Sequence, residues 1–168
     1  MIESNPSAGK SVLRREDFRL LQGKGTFAAD VSVPGMYHAA FLRSTYAHAV
    51  ILRVDTSAAR ALAGVLAVYT GSDIEKNSIP FLPFTFMRGL RTPLFYSMSS
   101  HRVRMVGDPI ALVVAASRAV AEDALERIEV DYRPLDAVTS IGDAAKRDGP
   151  QVWDRANGNQ LLHRTDVF

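Results

Sequence analysis

The chain has 168 residues, of which 47% are hydrophobic and 23% charged, so it is long enough to bury the core of one globular domain. Its formal net charge of +2 excludes the concentrated positive charge that is typical of nucleic-acid-binding proteins. The absence of cysteine excludes a disulfide, a thiolate metal site and an iron–sulfur cluster held by this chain, and it is compatible with a reducing cytoplasm.

The first residues predict no folded structure. Residues 1–13 are small and polar and predict a flexible N-terminal arm, and we expect one domain over residues 14–168. The arm lacks the apolar stretch of a signal peptide, and no apolar run of the chain reaches the length of a membrane span. We therefore expect a cytoplasmic protein. Residues 14–18 predict a helical turn, and residues 31–33 predict a short strand.

The next part of the chain predicts a strand–helix–strand unit. Residues 36–42 form a strand pattern that is largely apolar on both faces, which is typical of a strand covered on both sides. A second strand is predicted over 50–54, a short alanine-rich helix over 58–63 and a third strand over 65–70. Gly64 is placed as the residue that ends the helix.

A second strand–helix–strand unit follows near residue 110. The continuous apolar run 110–115 predicts a buried strand, and Ser117 caps a helix that extends to about Ile128. Residues 129–132 alternate, with Val130 and Tyr132 facing inward. The remaining tail, from Asp143 onward, is polar and irregular. The two units together predict an α+β domain with a mixed sheet.

A long connection, residues 75–102, separates the two units and has an unusual composition. Between Lys76 and Gly107 there is no acidic residue, whereas five basic residues and five of the thirteen Phe and Tyr residues lie there. Aromatic residues and arginine are enriched at protein–protein interfaces. We therefore predict a partner interface formed by Phe84, Phe86, Arg88, Arg91, Phe95 and Tyr96. The alternatives are that these aromatic residues pack on the domain's own core, or that the stretch 76–104 binds nucleic acid.

Motifs that resemble catalytic or binding sites have simpler explanations. Residues 4–11 nearly match a phosphate-binding loop, but Ser4 replaces the first glycine and no strand can precede it. The four histidines are scattered and lack the spacing of a zinc site. No nucleophile motif is present. The sequence therefore predicts no catalytic, cofactor-binding or metal-binding residue in this chain.

Seven stretches, in order along residues 13–138, resemble the opening of molybdenum hydroxylase large subunits. That family includes xanthine dehydrogenase, aldehyde oxidase and aerobic carbon monoxide dehydrogenase. The stretches are residues 15–27 with Asp30 after them, 34–44, 47–51, 64–65, 70–73, 106–111, and 121–124 with 130–135. The resemblance implies the α/β hammerhead fold of the N-terminal domain of these subunits.

The resemblance also implies a function that is divided between this chain and others. In that family the pterin is held by loops further along the large subunit, and the catalytic base is a glutamate near its far end. We therefore expect a non-catalytic subunit or domain of a complex that oxidises aldehydes, purines or N-heterocycles. Its partner would be a molybdopterin-binding subunit or C-terminal portion. Molybdopterin, FAD and [2Fe-2S] clusters are expected in partner subunits or domains, and none in this chain.

The recurring residues of these motifs also have structural explanations. Gly107 and Pro109 can set the start of a strand, Gly64 a helix stop, and Asp30 or Asp73 a hydrogen bond within a turn. The alternative function is a free-standing hammerhead-fold binding or assembly module with no enzyme attached. A gene for the cofactor-binding portion beside this one would distinguish the two hypotheses.

Overall fold

The structure, a computed structural model, describes residues 9, 11–81, 89–91, 93–153 and 158–162. The chain divides into two compact units, Met1–Met36 and Tyr37–Phe168. Most of the predicted arm, residues 1–13, lies outside the described residues. Its flexibility and the domain boundary at residue 14 stay predictions.

The first unit contains two short helices. Helix α1 is Asp17–Leu21, which confirms the predicted helical turn, and a 3-10 helix follows at Ala28–Asp30. The backbone N–H of Phe27 donates to the Asp30 carboxylate at 2.9 Å, so Asp30 makes the expected turn bond. The predicted strand at residues 31–33 is wrong, because this exposed stretch has irregular backbone and pairs with no strand of the described chain.

The second unit contains the six strands and the other four α-helices of the described chain. Every strand and helix predicted beyond residue 36 is present, whereas α3, β4 and α5 were not predicted. The elements are β1 (His38–Arg43), β2 (Ala49–Asp55), α2 (Ser57–Arg60), β3 (Val65–Thr70), α3 (Gly71–Asn77), β4 (Arg102–Val103), β5 (Pro109–Ala115), α4 (Arg118–Leu125), β6 (Glu129–Pro134) and α5 (Ile141–Ala145).

The strands form two three-stranded sheets. The first sheet has the order β1-β5-β3 and the second the order β4-β2-β6, and every pair is antiparallel. The α+β class is confirmed, but the predicted mixed sheet is wrong. The physical reason is that α2 connects β2 to β3 and α4 connects β5 to β6, so each helix leads from one sheet to the other. Neither helix returns the chain to a parallel position in the same sheet.

The main core lies between the first sheet and α4, which packs against β1, β5 and β3. The hydroxyl of Ser117 accepts the N–H of Val120 at 3.3 Å, so the predicted cap of α4 is confirmed. Small residues let the helix approach the sheet closely. The buried cluster is Ala59, Val68, Ala111, Val113, Ala115, Ala121, Ala124 and Ile128.

A second, smaller core lies on the second sheet. It consists of Ala49, Ile51, Val103 and Ile110. Val54 of β2 and Val130 of β6 pack against both clusters, so the two cores are continuous. The inward position of Val130 and Tyr132 is thus confirmed, because both pack against this second core.

Strand β1 departs from its predicted environment. The residues His38, Ala40 and Leu42 are half-buried, but Ala39 and Phe41 on the opposite face are exposed. Within the described part of this chain, the prediction that both faces are covered is therefore wrong. An apolar pattern on both faces cannot by itself reveal whether a second layer is present.

Two acidic side chains fix the beginnings of helices. The Asp55 carboxylate accepts the N–H and hydroxyl of Ser57, and these bonds together with Arg53 lower the pKa of Asp55 to about 2. The Asp73 carboxylate accepts the N–H and hydroxyl of Thr70, both at 2.8 Å, which lowers the pKa of Asp73. Asp73 thereby completes a capping box at the start of α3.

Gly71, the first residue of α3, is a point of close backbone approach. A Cβ atom at this position would fall well inside van der Waals contact with the carbonyl oxygen of Ser99 and the nitrogen of Ser100. Gly71 is buried. The glycine therefore allows the start of α3 to lie against the segment that leads into β4.

Replacement of Val113 tests the assignment of the central strand. Val113 is fully buried, so Val113→Asp places an unpaired carboxylate in the main core. That costs several kcal/mol, a large part of the about 5–15 kcal/mol by which domains are stable. We expect loss of cooperative thermal unfolding by circular dichroism. Glu126→Gln is the control, because this exposed residue tolerates the change. A soluble, cooperatively melting Val113→Asp protein would contradict the assignment.

Replacement of Gly71 tests the close approach at α3. Because the added methyl group clashes with backbone atoms, we expect Gly71→Ala to lower the free energy of unfolding by about 1–3 kcal/mol, measured by urea titration. Gly142→Ala in α5 is the matched control, since its Cβ would make only an ordinary van der Waals contact with the Ser140 hydroxyl at 3.8 Å, and it should raise stability by about 0.5–1 kcal/mol. Equal stability of the two variants would show that the approach is not tight.

Candidate partner-docking surface

The predicted partner interface is described only in part. Phe84, Phe86 and Arg88 lie outside the described residues. Of the other three, Arg91 and Phe95 are exposed and Tyr96 is half-buried. The stretch 89–96 therefore presents one basic and one aromatic side chain to solvent, and its role as an interface stays a prediction.

Phe95 belongs to a chain of aromatic contacts. Its ring stacks on Phe81 with 5.4 Å between centroids, and it contacts Trp153 at 6.2 Å. The guanidinium of Arg104 lies 4.1 Å from the centroid of the Trp153 ring, a cation–π contact. We call Phe81, Phe95, Trp153 and Arg104 the aromatic cluster. It brings together the long connection, the segment after β4 and the C-terminal tail, which the sequence did not predict.

Hydrogen bonds to backbone carbonyl groups hold the same parts of the chain together. Phe81 N–H donates to the carbonyl of Phe95 at 2.8 Å, and Arg91 N–H donates to the carbonyl of Leu161 at 2.9 Å. Nε of Arg104 donates to the carbonyl of Val152 at 3.1 Å. The part of the long connection around Arg91 and Phe95 thus packs on this chain's own tail. Phe95 nevertheless keeps 45% of its surface exposed, so a partner could contact it as well.

The residues that precede β5 have structural roles in fixing the local backbone. The Asp108 carboxylate accepts the N–H of Arg104 at 2.6 Å, and Gly107 has a φ of +92°, which favours glycine. Pro109 is the first residue of β5. The expectation that Gly107 and Pro109 set the start of a strand is confirmed. The expectation that Gly64 stops the helix is wrong, because α2 ends at Arg60 and Gly64, with a φ of +90°, lies in the turn before β3.

The histidines do not converge on a site in the described part of the chain. His48 is buried, with Nδ1 2.7 Å from the carbonyl oxygen of Asp136, and its buried Nε2 has no hydrogen-bond partner among the described residues. His101 lies on the surface with Nε2 3.4 Å from Glu75. His38 is in β1, and His163 lies outside the described residues. Within the described ranges, no group of three or more His, Asp or Glu residues could hold a metal ion.

One polar cavity of about 210 Å³ lies between β2 and the start of α3. Its polar lining includes the hydroxyl residues Ser72, Ser99 and Ser100, and Gly71 forms part of its wall. This lining can hold water or a small polar molecule by hydrogen bonds. No hydrogen bond between two of these side chains marks an activated nucleophile in the described structure.

Over the described ranges, no helix is both long and apolar enough to cross a membrane.

Comparison with known proteins gives consistent relationships. Residues 22–136 match the family model for the aldehyde oxidase and xanthine dehydrogenase a/b hammerhead domain. The chain is 40% identical over 161 residues to the carbon monoxide dehydrogenase large chain of Afipia carboxidovorans, covering 92% of this chain and 19% of that protein. It is 42% identical over 130 residues to the nicotine 6-hydroxylase large subunit of Paenarthrobacter nicotinovorans, covering 77% and 16%.

A solved structure gives the same result for the fold. Quinoline 2-oxidoreductase from Pseudomonas putida 86 superimposes with a TM-score of 0.81 and 42% identity, over 92% of this chain and 20% of that one. The chain thus spans between 16% and 20% of the length of each of these three proteins.

Proposed function

This chain belongs to the molybdenum hydroxylase large-subunit family, as its a/b hammerhead domain, and from that premise we propose that it is a non-catalytic part that packs against the molybdopterin-bearing portion of such an enzyme. One observation carries the proposal. The chain matches its relatives over nearly its whole length but accounts for only about a fifth of theirs. The remaining four-fifths would supply the pterin-binding loops and the catalytic glutamate that the family resemblance implies.

The distribution of cofactors is part of the same proposal. This chain binds none, while molybdopterin, FAD and [2Fe-2S] clusters belong to partner subunits or domains. Iron–sulfur clusters are held by cysteine thiolates, so a chain without cysteine does not fit them. The motif residues Asp30, Asp73 and Asp108 accept hydrogen bonds from the backbone, which supports a structural role for them.

The reaction of the whole assembly is proposed only as a class, the oxidation of an aldehyde, a purine or an N-heterocycle in the cytoplasm. The similar proteins are named for different substrates, among them carbon monoxide, nicotine and quinoline. The residues that would select between such substrates belong to the portion that this chain does not match. The mechanical contribution of this chain is a preformed two-sheet body on which that portion can pack.

The cofactor distribution predicts the properties of the isolated chain. Purified alone, it should be colourless, free of stoichiometric molybdenum, iron and flavin, and inactive on aldehydes and purines. Elemental analysis and the visible absorption spectrum check this result. Molybdenum or iron at one atom per chain would contradict the proposal, and so would aldehyde or purine oxidation by the chain alone.

The predicted interface is tested by replacing Phe84, Phe86 and Arg88 together with Ser. The affinity-tagged chain, expressed in its source cells, should co-purify with a molybdenum-containing polypeptide that matches the other four-fifths of the relatives. We expect the triple variant to keep the melting temperature and to lose this capture.

Each other outcome has a separate meaning. A collapse of the melting temperature would show that the segment belongs to the domain's own core. Undiminished capture by a folded variant would remove the segment from the interface. If even the unaltered chain captures no molybdenum protein, the proposed function fails and the free-standing module replaces it.

A further inference from the structure

The outer face of the first sheet, the face opposite α4, is apolar and exposed. Phe41 of β1, Leu112 of β5 and Tyr69 of β3 are register partners and form one row across the sheet. Phe41 and Tyr69 each keep 44% of their surface exposed, and Leu112 is half-buried. A second row consists of Ala39, Val114 and Ala67. We call these six residues the outer face.

The inner face of the same sheet provides the comparison. Its corresponding row is Ala40, Val113 and Val68, and the last two are almost completely buried in the main core, where α4 packs. An antiparallel sheet with one solvated face normally carries polar residues on that face. The outer face carries no charged residue in its two rows. Its composition is therefore that of a covered face, although its residues Phe41, Tyr69 and Ala39 are exposed.

The outer face is also bordered by further exposed apolar residues. Tyr37 precedes β1 and Leu66 lies in β3, and they keep 59% and 49% of their surfaces exposed. Arg43, at the end of β1, has its guanidinium 5.6 Å from the centroid of the Phe41 ring. Aromatic residues surrounded by a few polar groups are typical of protein–protein interfaces. Contiguous apolar patches of this kind mark sites of interaction in soluble proteins.

We propose that the outer face is a docking surface for the molybdopterin-bearing portion of the large subunit, and that this portion presents a mainly apolar surface to the row Phe41–Leu112–Tyr69. The inference rests on the proposed function and goes beyond it by naming the surface. The length of chain that is absent here supports this occupant. The relatives contain about four times as much additional chain as the part that this chain matches.

This docking surface is separate from the sequence-predicted interface. The outer face is formed by β1, β5 and β3, whereas Arg91 and Phe95 lie on the long connection and pack near Trp153 and Leu161. The two surfaces can therefore be altered independently.

The test is the double variant Phe41→Ser with Tyr69→Ser in the full chain. The probe is the molybdenum-containing polypeptide that co-purifies with the tagged unaltered chain, isolated and titrated against each variant by biolayer interferometry. We expect the double variant to raise the Kd at least about tenfold, because buried aromatic residues carry much of the binding energy of interfaces. Its melting temperature should change little, since both side chains are half exposed.

Leu52→Ser is the matched control. Leu52 is an exposed apolar strand residue on the second sheet, and its replacement should leave the Kd unchanged. If the double variant does not fold, Tyr69→Lys is the second variant. It places a charge on an edge strand, where the isolated chain tolerates it and an apolar contact does not. The same rise in Kd is expected.

Three results would overturn the inference in different ways. An unchanged Kd for a folded outer-face variant rejects the surface and leaves the proposed function intact. A dimer of this chain by analytical ultracentrifugation, abolished by the double variant and preserved in the complex, would make a second copy the occupant. If the unaltered chain captures no molybdenum-containing polypeptide, the proposed function fails and the inference fails with it.

Discussion

Strand β5 is the element on which the rest of the structure depends. It is the central strand of the first sheet and pairs with both β1 and β3. Its inward residues Ala111, Val113 and Ala115 are fully buried in the main core, and Ile110 contributes to the second core. This one strand therefore joins the first sheet through its pairing with both neighbours, and its apolar side chains contribute to both clusters. Burial of apolar surface, which contributes about 25 cal/mol per Å², is the main favourable term in the stability of such a core.

A second constraint is that each helical connection passes between sheets. Because α2 and α4 each leave one sheet and lead to the other, the two sheets cannot separate without unfolding a helix that packs on the main core. Val54 and Val130 reinforce this arrangement by packing against both clusters. The result is one continuous core in the unit Tyr37–Phe168, which is suited to act as a body on which a larger chain packs.

The sequence predicted the secondary-structure elements better than it predicted which strands pair with one another. The apolar run 110–115, the cap at Ser117 and the alternation around Val130 gave three elements correctly, because each depends on local periodicity or capping. The parallel pairing implied by two strand–helix–strand units was wrong, since which sheet receives a strand is a tertiary property. Helices α3 and α5 were missed, although Thr70 with Asp73 and Ser140 with Asp143 each carry the spacing of a helix cap.

The two candidate docking surfaces show the same difference: one could be predicted from the sequence, and the other could be found only in the structure. Composition identified the basic and aromatic long connection, because a count of residue types needs no structure. It could not predict that Phe95 contacts Trp153, a residue 58 positions later in the chain. Nor could composition identify the outer face. From the sequence alone, an apolar residue on a strand is expected to be buried, and only the structure shows that these residues are exposed. The exposure of Phe41 and Tyr69 appears only when the layers are assembled.

The central claim is that the outer face of the first sheet is covered in the assembled enzyme. Hydroxyl-radical footprinting of the isolated chain and of the purified complex tests it most directly, with modification of single residues quantified by mass spectrometry. The account predicts that Phe41 and Tyr69 react in the isolated chain and become protected in the complex, while Tyr46, which is exposed to a similar degree beside the second sheet, stays reactive. Equal reactivity of Phe41 and Tyr69 in the two samples would contradict the account.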